Sequence, residues 1–221
     1  MAGVKRRALG LALLAVALGA WPAPAPADVL AGRTLGAFKL TFYHLARETE
    51  RGEVPLFGTQ CGVLARTSRR FHDELATEGA GLLADGRLLN FERRCPCALP
   101  APDGERLCYA EVPRAQFPWG RGATRPGGHF TLQPFRSVAV DPAVVALGTV
   151  LYIPQLAGLE FPPGNVTNGC FRAEDTGRAV RGRHLDVFVG RPDWYRTLQR
   201  IRPLRSITVY RDSRRCARAF P

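Results

Sequence analysis

The sequence predicts a β-rich domain of the barrel type, on three observations. Glycine and proline number 23 and 18 in 221 residues, well above the roughly 12% that average usage supplies. So many backbone punctuators favour short strands joined by tight turns over long helices. From Ser137 onward, short runs of branched and apolar residues recur at close intervals. Finally, apolar residues make up 46% of the chain and charged residues 23%. These are ordinary values for a globular protein with a buried core, and they exclude a wholly disordered chain, a collagen and a multi-span membrane protein.

The first 27 residues read as a secretory signal. Lys5, Arg6 and Arg7 precede an apolar run from Ala8 to Ala20, and Ala25-Pro26-Ala27 offers a small-residue cleavage site before Asp28. The run is too short to span a bilayer, and no second run of 18 apolar residues follows. No cysteine lies near the junction for lipid attachment. The expectation is a periplasmic or secreted protein with no stable membrane anchor after cleavage.

Residues 28–35 read as a loose start, and a single domain is expected over residues 36–216. Phe38 to Leu45 (FKLTFYHL) is aromatic and branched, a strand signal. Phe71 to Ala76 fits a short helix or a strand. Glu78 to Arg87 carries the glycine and Asp-Gly signals of a hairpin. Residues 90–128 read as a long disulfide-stapled loop insertion, ending in the compact run Phe117-Pro118-Trp119-Gly120-Arg121-Gly122. Further strands are expected at Ser137 to Val140, Val150 to Ile153, Phe171 to Asp175, Leu185 to Val189 and Ser206 to Tyr210. Between the last two, Arg191 to Ile201 opens with Pro192 and places Trp194, Leu198 and Ile201 at i, i+4 and i+7. It is the one helix expected, near the C-terminus.

The net charge is +12, and 29 of the 31 basic residues are arginines. They are spread along the whole chain, without a basic helix or a zinc-finger or RRM signature. Nucleic acid is therefore not the expected partner, and another anionic polymer suits bidentate arginines equally well. The six cysteines Cys61, Cys95, Cys97, Cys108, Cys170 and Cys216 are an even number in a chain addressed to an oxidising compartment. Up to three disulfides follow, with all fifteen pairings open. Cys95-Pro96-Cys97 near Cys108 lacks the repeated C-x₂₋₄-C or His pair of a zinc site. His44, His72, His129 and His184 also lack metal-ligand spacing. Neither a metal nor a cofactor is expected.

Three aspartates are candidates for chemistry. In Leu185-Asp186-Val187-Phe188-Val189, period-two alternation places the three aliphatic residues on one face and Asp186 with Phe188 on the other. A carboxyl beside apolar and aromatic groups is partly desolvated, which raises its pKa and suits a general acid; a solvent-facing Asp is the alternative. Asp175 opens Asp175-Thr176-Gly177, a triplet also found in aspartic proteases. Only one copy is present, and Ala173-Glu174 before it and Arg178 after it fit those enzymes poorly. Asp141, in Ala139-Val140-Asp141-Pro142, reads most simply as a turn cap. His184 either tunes Asp186 or lies on the surface. Trp119 and Phe117 offer a platform for sugar rings or pack beneath the cysteine-rich segment.

SVAVDPAVVALGTVLYIP from Ser137 and CFRAEDTGRAVRGRHLDVFVG from Cys170 resemble the 3D (Asp-Asp-Asp) domain, the catalytic core of the membrane-bound lytic transglycosylase A family. Asp141, Asp175 and Asp186 fall on its three aspartates, over a motif core of residues 137–190. The resemblance implies a six-stranded double-psi β-barrel and a peptidoglycan substrate. It also implies cleavage of the MurNAc–GlcNAc β-1,4 bond to a 1,6-anhydro-MurNAc end. Asp186 would be the acid/base, with Asp175 and Asp141 orienting or polarising the site. Arg178 and Arg181 stand where the family's G-G-x-I-K-G places a glycine and a lysine, and with Trp119 they are candidate substrate contacts. Another possibility is a non-catalytic glycan-binding double-psi barrel of the expansin kind.

Overall fold

The computed structural model describes residues 31–161, 164–200 and 206–220. The expected signal segment and Ile201 lie outside them. In chain order the strands are β1 (Arg33–His44), β2 (Ala46–Arg47), β3 (Val54–Phe57), β4 (Val63–Thr67), β5 (Ala80–Leu82), β6 (Leu88–Arg94), β7 (Leu107–Val112) and β8 (Arg121–Arg125). They continue with β9 (Gly128–Thr131), β10 (Ser137–Ala139), β11 (Val150–Tyr152), β12 (Glu160–Phe161), β13 (Asn165–Val166), β14 (Cys170–Asp175), β15 (His184–Gly190) and β16 (Ser206–Arg211). Helices α1 (Arg69–Glu78) and α2 (Pro192–Arg200) complete the main elements. The fold is mostly β, as the turn-rich sequence requires.

Six strands close into a barrel in the order β1-β15-β10-β14-β11-β16. Two of its joins, β1–β15 and β10–β14, are parallel, and the other four are antiparallel. Alternation on β15 sends Leu185, Val187 and Val189 inward against Phe38, Leu40, Val138, Phe171 and Val209, all buried. The same alternation leaves Asp186 and Phe188 on the other face. Helix α2 covers part of the barrel, burying Leu198 and laying Trp194 against Phe135 at a ring separation of 5.3 Å.

Within residues 46–112 a second sheet forms, with its own core. The order is β2-β5-β6-β7, and α1 packs on it through Phe71, Leu75 and Ala76 against Leu89 and Tyr109. The expected hairpin is present as β5–β6, turning at Gly86 with φ near +90°. α1 is a second helix, resolving the ambiguity at Phe71 to Ala76. Ser68 caps it by accepting the Phe71 N–H, and Gly79 ends it in the left-handed conformation. The expected loop insertion over residues 90–128 is corrected for the same reason: its prolines and glycines punctuate β6, β7 and the β8–β9 hairpin. β1 also begins at Arg33, pairing with Arg211, so the start of the chain is ordered earlier than a loose segment to residue 35 allows.

All six cysteines are paired: Cys61–Cys97, Cys95–Cys108 and Cys170–Cys216. The first two staple the second sheet's loops, and the third ties β14 to the C-terminal turn. Among the described residues, no helix is long and apolar enough to cross a membrane.

Candidate active site

Ala139, at the end of β10, is the Cα partner of both Asp175 on β14 and Asp186 on β15. A small residue thus separates the two aspartates that the sequence singles out, and the barrel register brings them together. On the other side of Asp186, parallel pairing sets Thr41 of β1 directly opposite. The Thr41 hydroxyl donates to Asp186 Oδ1 at 2.7 Å, and His184 Nε2 lies 2.8 Å from the Thr41 hydroxyl oxygen.

Two residues further along β1, the Tyr43 hydroxyl donates to Asp175 Oδ2 at 2.8 Å, while Asp175 Oδ1 accepts the Thr176 N–H. Tyr43 and Phe188 are in ring contact at 5.0 Å between centroids. Burial pushes Asp175 up to about 7, against the pull of the Tyr43 and Thr176 hydrogen bonds. Burial likewise raises Asp186 to about 6, with the Thr41 bond and Lys39 acting the other way. The site therefore holds two carboxyls that exchange protons near neutral pH, one of them half-buried and open to the outer face of the barrel.

Asp141 behaves differently. Its carboxylate accepts the Gly182 N–H at 2.7 Å and the Ala143 N–H at 3.0 Å, which holds its pKa below the usual range. It pins the β14–β15 connection to the turn after β10. Through that turn it sets the approach of β15 to the site, without touching either of the other aspartates.

A cleft of about 490 Å³ opens between the barrel and the second sheet, lined by Tyr43, Asp175, Arg181 and Phe188 on one side and Glu78 and Asn90 on the other. Asp186 is outside this lining, two residues before the cleft residue Phe188 on the same face of β15.

Residues 136–197 match the model of the 3D domain. The matched segment spans 62 of the 221 residues. Solved structures with a similar fold include E. coli MltA with bound chitohexaose, at 16% identity and a TM-score of 0.54, covering 79% of this chain and 71% of that one. A membrane-bound lytic murein transglycosylase from Agrobacterium tumefaciens matches at 13% identity and 0.56, with 80% and 73% covered. MltA from Neisseria gonorrhoeae matches at 13% and 0.54, with 79% and 72% covered. Among curated proteins there is no match. The fold is MltA-like.

Within the 3D domain, Arg178 is engaged by protein groups: it donates to the Ala76 carbonyl at 2.6 Å and lies 3.0 Å from Asp103. It bridges the barrel to α1 and to the loop closed by Cys95–Cys108. Arg181 donates to the Gly177 and Val180 carbonyls at 3.0 Å, beside the cleft. Trp119 is half-buried outside the cleft lining, facing Trp194 at 6.5 Å, and Phe117 is buried in the same cluster. His184 is also buried rather than on the surface.

Thr41, Tyr43 and Glu78 are site residues that sequence reasoning missed. Thr41 and Tyr43 share one face of the expected first strand, and their alternation was a usable signal. Nothing local marked Glu78.

Proposed function

We propose that this protein is a peptidoglycan lytic transglycosylase that cleaves the MurNAc–GlcNAc β-1,4 bond and leaves a 1,6-anhydro-MurNAc end. The observation that carries this reading is Asp186. It is a half-buried aspartate of the 3D motif with its pKa raised to about 6, held by Thr41 on the strand face that also carries the cleft residue Phe188. An ordinary glycosidase needs two carboxyls, one to protonate the leaving oxygen and one to attack or activate water. Here the sugar's own 6-hydroxyl is the nucleophile, so one carboxyl serves twice. Protonated Asp186 gives its proton to the departing O4. As the 6-hydroxyl bonds to C1, the Asp186 carboxylate takes the hydroxyl proton and is reset.

Asp175, locked by Tyr43, adds a polar wall whose charge is suppressed at neutral pH, and Asp141 holds the turn that presents β15. The MltA-like fold and the chitohexaose bound to the E. coli neighbour support a glycan in the cleft. The two parallel joins of the barrel agree with a double-psi topology. Disulfides and the signal-like leader support a periplasmic or secreted location.

The test is digestion of peptidoglycan sacculi by the oxidised protein and by Asp186→Asn, with mass spectrometry of the soluble products. Expected are muropeptides ending in 1,6-anhydro-MurNAc, absent with the variant. Reducing ends would mean hydrolysis instead. Sacculus binding without any release would leave a non-catalytic glycan-binding barrel.

A further inference from the structure

The cleft wall opposite Asp175 is made by the last turn of α1, where Glu78 stands at the helix C-terminus. That is an unfavourable place for a negative charge, because the helix dipole presents its negative end there. The Glu78 side chain is only 11% exposed. The titratable groups around it come from four elements: His44 on β1, Glu74 one turn earlier on α1, Asp186 on β15 and Tyr195 on α2. Arg70 and Arg196 act on Glu74, and Arg196 also acts on His44. Burial first, then the charges of Asp186 and Glu74, push Glu78 up to about 8, although the His44 N–H works against them. His44 itself is lowered by burial and is neutral.

The hydrogen-bond geometry says which oxygen carries the proton. Oε2 accepts the His44 backbone N–H at 2.8 Å, which leaves Oε1 as the protonated atom. Oε1 lies 3.5 Å from His44 Nε2, too long for a good hydrogen bond. The His44 ring cannot swing closer without leaving its edge-on contact with Tyr195 at 4.9 Å. Glu78 lines the cleft, and with His44 Nε2 3.5 Å from Oε1 its carboxyl gains from a closer partner that arrives with the ligand.

We propose that Glu78 is a substrate-binding residue whose protonated carboxyl donates a hydrogen bond to an uncharged acceptor of the glycan, an acetamido carbonyl or a sugar hydroxyl. The ionised form has no proton to give and adds a third negative charge beside Asp175 and Asp186, so it turns the glycan away. This rests on the glycan reading of the cleft. It adds a selection that the acid/base chemistry does not require, in favour of a neutral acceptor on the sugar.

The experiment uses the full disulfide-bonded chain carrying Asp186→Asn, so that nothing is cleaved, and chitohexaose as an uncharged probe. Affinity is measured by titration calorimetry from pH 6 to pH 9. Asp186→Asn removes one of the charges that raise Glu78, so at pH 9 at most about one molecule in ten keeps the proton and affinity falls by about tenfold or more. Adding Glu78→Gln, which keeps a donor but cannot ionise, abolishes that fall and stays within about threefold of the parent at pH 6. Adding Glu78→Ala weakens binding at pH 6 by about tenfold, the loss expected for one buried hydrogen bond. An unchanged pH slope in Glu78→Gln, or full affinity in Glu78→Ala, overturns the assignment while leaving the glycan reading intact. If the parent melts cooperatively but binds no chitohexaose at any pH, the glycan reading fails and the Glu78 assignment falls with it.

Discussion

Replacing Thr41 with valine keeps the side chain's shape and removes one oxygen, the one that donates to Asp186 at 2.7 Å and lies 2.8 Å from His184 Nε2. A hydrogen bond to a charged group contributes about 1.5–3 kcal/mol, roughly twice its value for a neutral one. The ionised form of Asp186 therefore loses about 0.7–1.5 kcal/mol more than the protonated form, equivalent to about half to one pH unit. Asp186 should move up from about 6 to roughly 6.5–7. The direct readout is a carboxyl-carbon NMR titration of labelled protein. In the transglycosylase reading the alkaline limb of sacculus solubilisation moves the same way, because the acid stays protonated to higher pH. The His184 ring nitrogen left without its partner also costs about 1–3 kcal/mol of stability, which a urea titration reads separately. Thr41→Ser should restore the parent midpoint. An unchanged or lowered midpoint in Thr41→Val, or a serine variant that moves as far as valine, would refute the reasoning.

Other consequences are equally specific. Asp175, raised to about 7 from an ordinary value near 3.9, favours the folded state fully below pH ~4, and that contribution is lost as pH rises through about 7. Asp175→Asn should therefore be more stable than the parent at pH 8, by about 2–4 kcal/mol in urea, with the advantage vanishing near pH 4. A Cβ on Gly122 would collide with the Glu174 carbonyl of β14. Gly122→Ala should thus lower stability by about 1–3 kcal/mol and push the β8–β9 hairpin off the barrel, seen as faster hydrogen exchange in residues 121–131. Cys170 and Cys216 close a loop of 46 residues, so replacing both with alanine should cost up to about 4 kcal/mol by chain entropy. A thermal melt that does not move would contradict that.

Much of the barrel was legible because its strands obey a period of two. Alternation alone put Leu185, Val187 and Val189 inside and Asp186 outside, and the i, i+4, i+7 pattern located α2. The D-T-G triplet, the A-V-D-P turn and the eleven-residue step from Asp175 to Asp186 marked a 3D domain before any fold was known. The second sheet was not legible. Its strands are interrupted by prolines, glycines and cysteines, local signals that a loop shares, and only pairing among β2, β5, β6 and β7 turns them into a sheet. The cysteine pairing was open for the same reason.

The surroundings of the aspartates were decided by tertiary structure alone. Thr41 meets Asp186 across 145 positions, and Arg178 meets Ala76 across 102. Neither meeting leaves a trace in local periodicity, because a parallel join needs a long crossover whose register is set by packing along the whole barrel. The sequence by itself determined that Asp186 stands on the outer face of β15. Only the closed barrel decided which hydroxyl each one touches, how deeply it is buried, and so where on the pH scale it gives up its proton.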